Sequence, residues 1–132
     1  MTVIDANVVV AALVGSDDAA SMAAAQSIGN AQTLHAPAHF VSEVLGAIRW
    51  LAAGKRITWD DADAAVDALP ALGVRLHSPT SEDIGRAWEL RHNITPQDAL
   101  YVALAERLAQ IFITADVKIG RANQARCRIQ TP

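Results

Sequence analysis

Four carboxylates stand out by where they fall along the chain: Asp5, Glu43, Asp98 and Asp116. Asp5 ends the β-branched run Thr2 to Ile4, and Asp116 follows the apolar run Ile111 to Ile113 after Thr114 and Ala115. Asp98 belongs to the first turn of an apolar helix, and Glu43 sits beside Val44 near the start of another. In an open parallel sheet, ligands bind beyond the carboxyl ends of the strands. Two strand-ending acids and two helix-borne acids can therefore meet at one cleft. Hard oxygen donors of this kind suit Mg²⁺ or Mn²⁺, ions that keep several waters and bridge to phosphate oxygens. The chemistry implied is hydrolysis of a phosphodiester. Taken singly, each acid is also accounted for by its position, as a turn residue, a charge at a helix start or a solvated helix residue.

The segments that carry these acids alternate between strand and helix patterns. Thr2 to Ile4 reads as a strand, Asn7 to Val14 as a short helix, Ala19 to Ile28 as a helix stopped by Gly29 and Asn30, and Thr33 to Ala36 as a second strand. From Ala38 to Ala53, Phe40, Val41, Val44, Leu45, Ile48 and Leu51 recur at helical spacing, with Gly54 closing the segment. Thr58 opens a helix with Asp60 and Asp61 in its first turn, and Pro70 to Gly73 ends it before a third strand at Val74 to Leu76. Thr80 caps a further helix, and Thr95-Pro96-Gln97-Asp98 opens the next with a cap and a proline at its first position. Ile111 to Ile113 and Arg128 to Gln130 supply a fourth and a fifth strand. The alternation predicts an α/β fold over 1–132 as a single domain. Its parallel sheet of four or five strands is covered by helices on both faces.

Composition narrows the alternatives. In 132 residues, 52% are hydrophobic, 19% charged and 5% aromatic, which excludes disorder and favours alanine-rich helical packing over an aromatic β-sandwich. The net charge of −3 argues against a protein that coats nucleic acid by charge alone. The lone Cys127 and the early Asp5 point to a reducing, cytoplasmic setting with no leader. Ala19 to Ser42 lacks acidic and basic residues but is too polar to span a membrane.

The segments VIDANVV at Val3 to Val9, SEVLGAIRWLAAGKRIT at Ser42 to Thr58, TPQDALYVALAERL at Thr95 to Leu108 and ITADVKIGRA at Ile113 to Ala122 carry a closer likeness. Together they resemble PIN-domain ribonucleases, specifically the VapC-type toxins of toxin–antitoxin pairs. The resemblance covers nearly the whole chain, and all four acidic motifs match in order and spacing. It implies that Asp5, Glu43, Asp98 and Asp116 form a Mg²⁺ site, with Mn²⁺ able to substitute. Thr114 is implied as a polar residue orienting the cluster, and Asn7 as a support to it. It implies further that the chain cleaves RNA, forms a homodimer and is inhibited by a cognate antitoxin protein. Four carboxylates in one cleft should repel, so at least one is expected to hold its proton to higher pH than a free acid.

Other residues have narrower readings. Lys118, Arg121, Arg126 and Arg128 either hold phosphates flanking the cleft or form a solvated face, while Arg91 and His92, just before the Asp98 helix, either approach substrate or face solvent from a loop, the second being the leading reading. His35 and His39 are four apart, but Pro37 stands between them and the H-E-x-x-H motif of a zinc pair is absent. Trp50, Trp59 and Trp88 read as core or dimer anchors. Dinucleotide-binding, P-loop and serine-hydrolase motifs are absent from the sequence. The third strand runs into His77, Ser78 and Pro79 with no acid for a phosphoacceptor, and Asp5-Ala6-Asn7 lacks the second acid of a D-x-D hydrolase. The competing class is an acidic-pocket module that grips a partner without catalysis.

Overall fold

The computed structural model describes residues 1–15, 17–121 and 124–132. Its sheet has five strands, β1 (Thr2–Ile4), β2 (Leu34–Pro37), β3 (Arg75–His77), β4 (Ile111–Ile113) and β5 (Ile129–Gln130), in the order β3-β2-β1-β4-β5. Every neighbouring pair is parallel, and register sets Thr2 opposite both Leu34 and Ile111, and Ile4 opposite Ile113. Val3, Ile4, Phe112 and Ile113 are all buried. Since successive strand residues point to opposite faces, burial of consecutive positions means that both faces of the sheet are covered.

Among the described residues, the cover comes from seven α-helices, α1 (Ala6–Leu13), α2 (Ala19–Asn30), α3 (Phe40–Ala53), α4 (Trp59–Ala68), α5 (Ser81–Glu89), α6 (Pro96–Leu108) and α7 (Val117–Arg121). Helix α1 forms despite three successive valines, residues of modest helix propensity, because Val8, Val9 and Val10 are all buried in the core. Side-chain caps start the helices where the sequence offers them: Thr58 on α4, Thr95 on α6, and a reciprocal Thr80–Asp83 capping box on α5. Helix α5 is bound to α6 by charge, with Arg86 pairing Glu106 at 2.8 Å and Arg107 pairing Asp83 at 2.9 Å.

Several boundaries differ from the sequence reading. Gly29 and Asn30 stay inside α2, and the chain leaves through Ala31 in an extended conformation. Gly54 closes α3 at φ −81°, while Lys55 takes the left-handed turn at φ 59°. Glycine serves at 54 because a Cβ there would lie 3.2 Å from the Trp50 carbonyl oxygen. The third strand starts one residue later than its apolar pattern suggests, and its first two residues are exposed at the sheet edge. The basic segment after Asp116 forms the short helix α7, and Ala122, the last residue of the fourth motif, lies outside the described residues. The tryptophans are not core residues: Trp50, Trp59 and Trp88 are 57–65% exposed. Arginines cover two of them, Arg56 at 4.6 Å from the Trp50 ring centre and Arg91 at 5.0 Å from that of Trp88.

Candidate active site

The chain leaves β1 toward β2 and β3 on one side, and β4 and β5 are added on the other, so the sheet reverses its order between β1 and β4. That reversal opens a crevice at the carboxyl ends of these two strands. Asp5 is the residue after β1, and Thr114 and Asp116 follow β4. The Asp5 amide donates to the Ile113 carbonyl at 2.9 Å, tying the two strand ends together.

Asp5 is 3% exposed and works locally as the cap of α1, its Oδ1 accepting from the Asn7 amide at 3.5 Å. Its other oxygen, Oδ2, accepts a hydrogen bond from the Thr114 hydroxyl at 2.6 Å. The same Thr114 oxygen accepts from the Asp116 amide at 3.1 Å, so one buried hydroxyl joins two of the four acids. Asp116 in turn accepts from the Lys118 amide at 2.9 Å, which fixes the entry into α7. Asp98 is half-buried in the first turn of α6, where its amide is capped by Thr95 at 3.3 Å.

Glu43 projects from the first turn of α3, and its Oε1 accepts from the Tyr101 hydroxyl at 2.9 Å. The His39 Nε2 lies 3.2 Å from that same Oε1 and 3.2 Å from the Gln97 carbonyl oxygen. Tyr101 is fully buried, with its ring stacked on Phe112 at 5.4 Å and the His39 ring set edge-on to it at 5.3 Å.

Sequence reasoning passed over these two supporting residues. Tyr101 stands three residues after Asp98 and His39 four before Glu43, spacings that put each on the same helix face as its acid. Those spacings were the available signal. His35 does not join His39: it pairs with His77, Nδ1 to Nε2 at 2.8 Å, and contacts the Thr33 hydroxyl at 3.1 Å.

Electrostatics bind the acids into one group. Burial, above all, holds the carboxyls of Asp5, Glu43 and Asp98 protonated to higher pH than usual. Neighbouring negative charge adds to this: Asp98 and Asp116 act on Asp5, Asp5 and Asp98 on Glu43, and Asp116 on Asp98. Hydrogen bonds from Thr114, Tyr101 and Thr95 pull the other way. The expected proton retention is thus present, with desolvation a larger cause than the repulsion first invoked. Burial and the adjacent Glu43 charge push the Tyr101 hydroxyl far above its usual range, which keeps it a proton donor to Glu43.

Among the described residues, no three His, Cys, Asp or Glu side chains are gathered tightly enough to close on an ion by themselves. Beside the acids runs an open groove of about 440 Å³ lined by Asp98 and Asp116 and by Arg91, His92 and Lys118. The structure thus brings Arg91, His92 and Lys118 to the cleft edge. Arg126 and Arg128 line a different cavity, next to Glu106 and Cys127.

The pattern of the PIN domain family matches residues 2–124, and this chain belongs to that family. Its relatives include ribonuclease VapC9 of Mycobacterium tuberculosis, 35% identical over 98% of this chain and 96% of that protein. Ribonuclease VapC1 of the same organism is 36% identical over 97% of this chain and 95% of that one. In fold, the chain is similar to a toxin–antitoxin complex from Klebsiella pneumoniae, with a TM-score of 0.73 at 15% identity, over 100% of this chain and 98% of that one.

Proposed function

We propose that this chain is a divalent-metal-dependent endoribonuclease, the toxin of a toxin–antitoxin pair, that hydrolyses RNA phosphodiester bonds at Asp5, Glu43, Asp98 and Asp116. The observation that carries this reading is the placement of Asp5 and Asp116 at the ends of β1 and β4, joined through the Thr114 hydroxyl, with Asp98 and Asp116 lining one groove, on a chain related over its length to VapC ribonucleases. A cluster that raises its own proton affinity by burying and opposing negative charges is relieved by a cation.

The donors fit Mg²⁺ or Mn²⁺. All four are carboxylates, with the Thr114 hydroxyl beside them, a hard-oxygen set. Acids that do not close on one point suit an ion that keeps several of its waters and binds protein through one or two carboxylates. When bound, such an ion supplies charge stabilisation at the phosphoryl oxygens and acidifies water for in-line attack.

The chain's own residues do the rest. Thr114 fixes the Asp5 carboxylate through a buried hydrogen bond, so that Asp5 offers Oδ1 in one orientation. Glu43 and Asp98, carried by α3 and α6, can each take a proton from water. Their raised proton affinity suits that task. Lys118, His92 and Arg91 line the groove beside Asp98 and Asp116, where RNA phosphates on either side of the scissile bond would lie.

A cognate antitoxin belongs to the same reading, supported by the likeness to the Klebsiella pneumoniae toxin–antitoxin complex. So does a homodimer, for which the exposed tryptophans supply apolar surface of the kind that partners cover. The RNA substrate and antitoxin would both be met in the cytoplasm. No helix among the described residues is long and apolar enough to cross a membrane.

End-group analysis of the RNA products tests the chemistry. Hydrolysis by water requires metal-dependent cleavage without a 2′,3′-cyclic phosphate. Cleavage that persists in chelator and leaves a cyclic phosphate would mean attack by the RNA's own 2′-hydroxyl, and would overturn the proposal.

A further inference from the structure

Glu43 differs from the other three acids in how it is held. Its hydrogen bond from Tyr101 at 2.9 Å and its contact with the His39 Nε2 at 3.2 Å fall on the same oxygen, Oε1. Oε2 is left as the oxygen available to a cation or a water. The His39 Nε2 bonds to the Gln97 carbonyl, which can only accept, so this nitrogen carries the proton, and it lies 3.2 Å from Glu43 Oε1. Gln97 immediately precedes Asp98 in the first turn of α6. One imidazole N–H therefore spans from the acid on α3 to the backbone beside the acid on α6.

His39 occupies the cap position of α3, where Ser, Thr, Asp or Asn would ordinarily bond to the helix's own amides. Its ring does not cap the helix; it turns across to α6 instead. A residue that gives up the local bond for a cross-helix one fixes the distance between two elements. Tyr101 supports the arrangement twice, by its hydroxyl on Oε1 and by its ring edge-on to His39, and it stands on Phe112 of β4.

We propose that His39 is a positioning residue: with Tyr101 it clamps Glu43 Oε1, ties that acid to the start of the Asp98 helix, and so sets the Glu43 to Asp98 separation and presents Oε2 alone to the metal. This rests on the metal-site reading above and goes beyond it, because it assigns a role to two residues outside the four acids. Partners that orient metal-binding side chains from behind are worth about 10–100-fold in metal affinity or activity.

The test measures Mn²⁺ binding directly, by calorimetry on the whole chain, for wild type, His39→Ala, His39→Gln, Tyr101→Phe and Asp98→Asn, with melting temperatures alongside. Glutamine can place an N–H near the position of Nε2. The expected result is Mn²⁺ binding weakened roughly tenfold in His39→Ala and Tyr101→Phe, at the low end of the range for such partners, and largely recovered in His39→Gln. His39→Ala should keep its melting temperature, since a partly exposed pair contributes little to stability. RNA cleavage should fall in kcat more than it rises in KM. If wild type binds Mn²⁺ and Asp98→Asn does not, while His39→Ala binds as wild type does, the clamp is overturned and the metal site stands. If wild type binds no Mn²⁺, both fall.

Discussion

Thr114 and Asp5 are 109 positions apart in sequence and 2.6 Å apart in the fold, hydroxyl to carboxylate, with both side chains buried. Adjacent parallel strands make this contact possible: β1 and β4 end in register, and each is followed by a polar residue at the same edge. The threonine does two jobs, donating to Asp5 Oδ2 and accepting from the Asp116 amide.

Thr114→Val should therefore remove a donor from a buried carboxylate and an acceptor from a backbone amide while keeping the volume. Leaving a buried acceptor unpaired costs about 1–3 kcal/mol, so chemical denaturation should show a loss of that order. Thr114→Ser, which keeps the hydroxyl, should lie close to wild type. Equal stability of the valine and serine variants would contradict the role given to this bond.

Asp98 is held protonated to higher pH than its ordinary value of 3.8, chiefly by burial and then by Asp116. Between 3.8 and the raised value, the folded state binds more protons than the unfolded state. Stability contributed by this group accordingly falls as pH rises through that window and stays reduced at neutral pH. Asp98→Asn should melt above wild type in chelator at neutral pH. The gap should shrink as pH falls toward 4. Saturating Mn²⁺ should raise the wild-type melting temperature and leave the variant's unchanged.

The places of Asp5, Asp98 and Asp116 were legible in the sequence because strand ends and helix starts are local signals, carried by Ile4-Asp5, Thr95 to Asp98 and Ile113 to Asp116. Strand order was not, since nothing local states that β4 inserts beside β1. The roles of Tyr101 and His39 were lost for a related reason. Their partners lie 58 residues away in each case, Tyr101 on Glu43 and His39 on the Gln97 carbonyl, and an aromatic in an alanine-rich helix reads simply as core. For the tryptophans, read as core or dimer anchors, only the core half fails: Trp50 and Trp88 lie outside under arginine guanidinium groups.

His35 gives a pH dependence of the opposite sign. Burial first, then His77, Arg75 and the amino terminus, hold its imidazole neutral below its ordinary value of 6.5. In that window the unfolded state binds the extra proton, so this stability is complete above 6.5 and is lost as pH falls toward the folded value. His35→Gln should flatten the change in melting temperature between about pH 6.5 and 5; an unaltered slope would exclude His35 as its source.

The groove cations should act on binding rather than chemistry. Lys118→Ala is expected to raise KM for RNA with kcat nearly kept, and to reduce the salt dependence of binding by about 0.7 in log–log slope, the value for one single-strand phosphate contact. A fall in kcat at unchanged KM would place Lys118 at the reacting bond instead.

The most direct measurement is cleavage of end-labelled transfer, ribosomal and messenger RNAs by wild type and Asp98→Asn, each with Mg²⁺, Mn²⁺ or chelator. Asparagine keeps the shape of the side chain and removes its charge. Discrete wild-type products that vanish both in chelator and in Asp98→Asn are the result this account predicts. Equal cleavage by the two proteins, or folded wild type that cuts no RNA with either metal, would contradict it and favour an acidic cleft that only grips a partner.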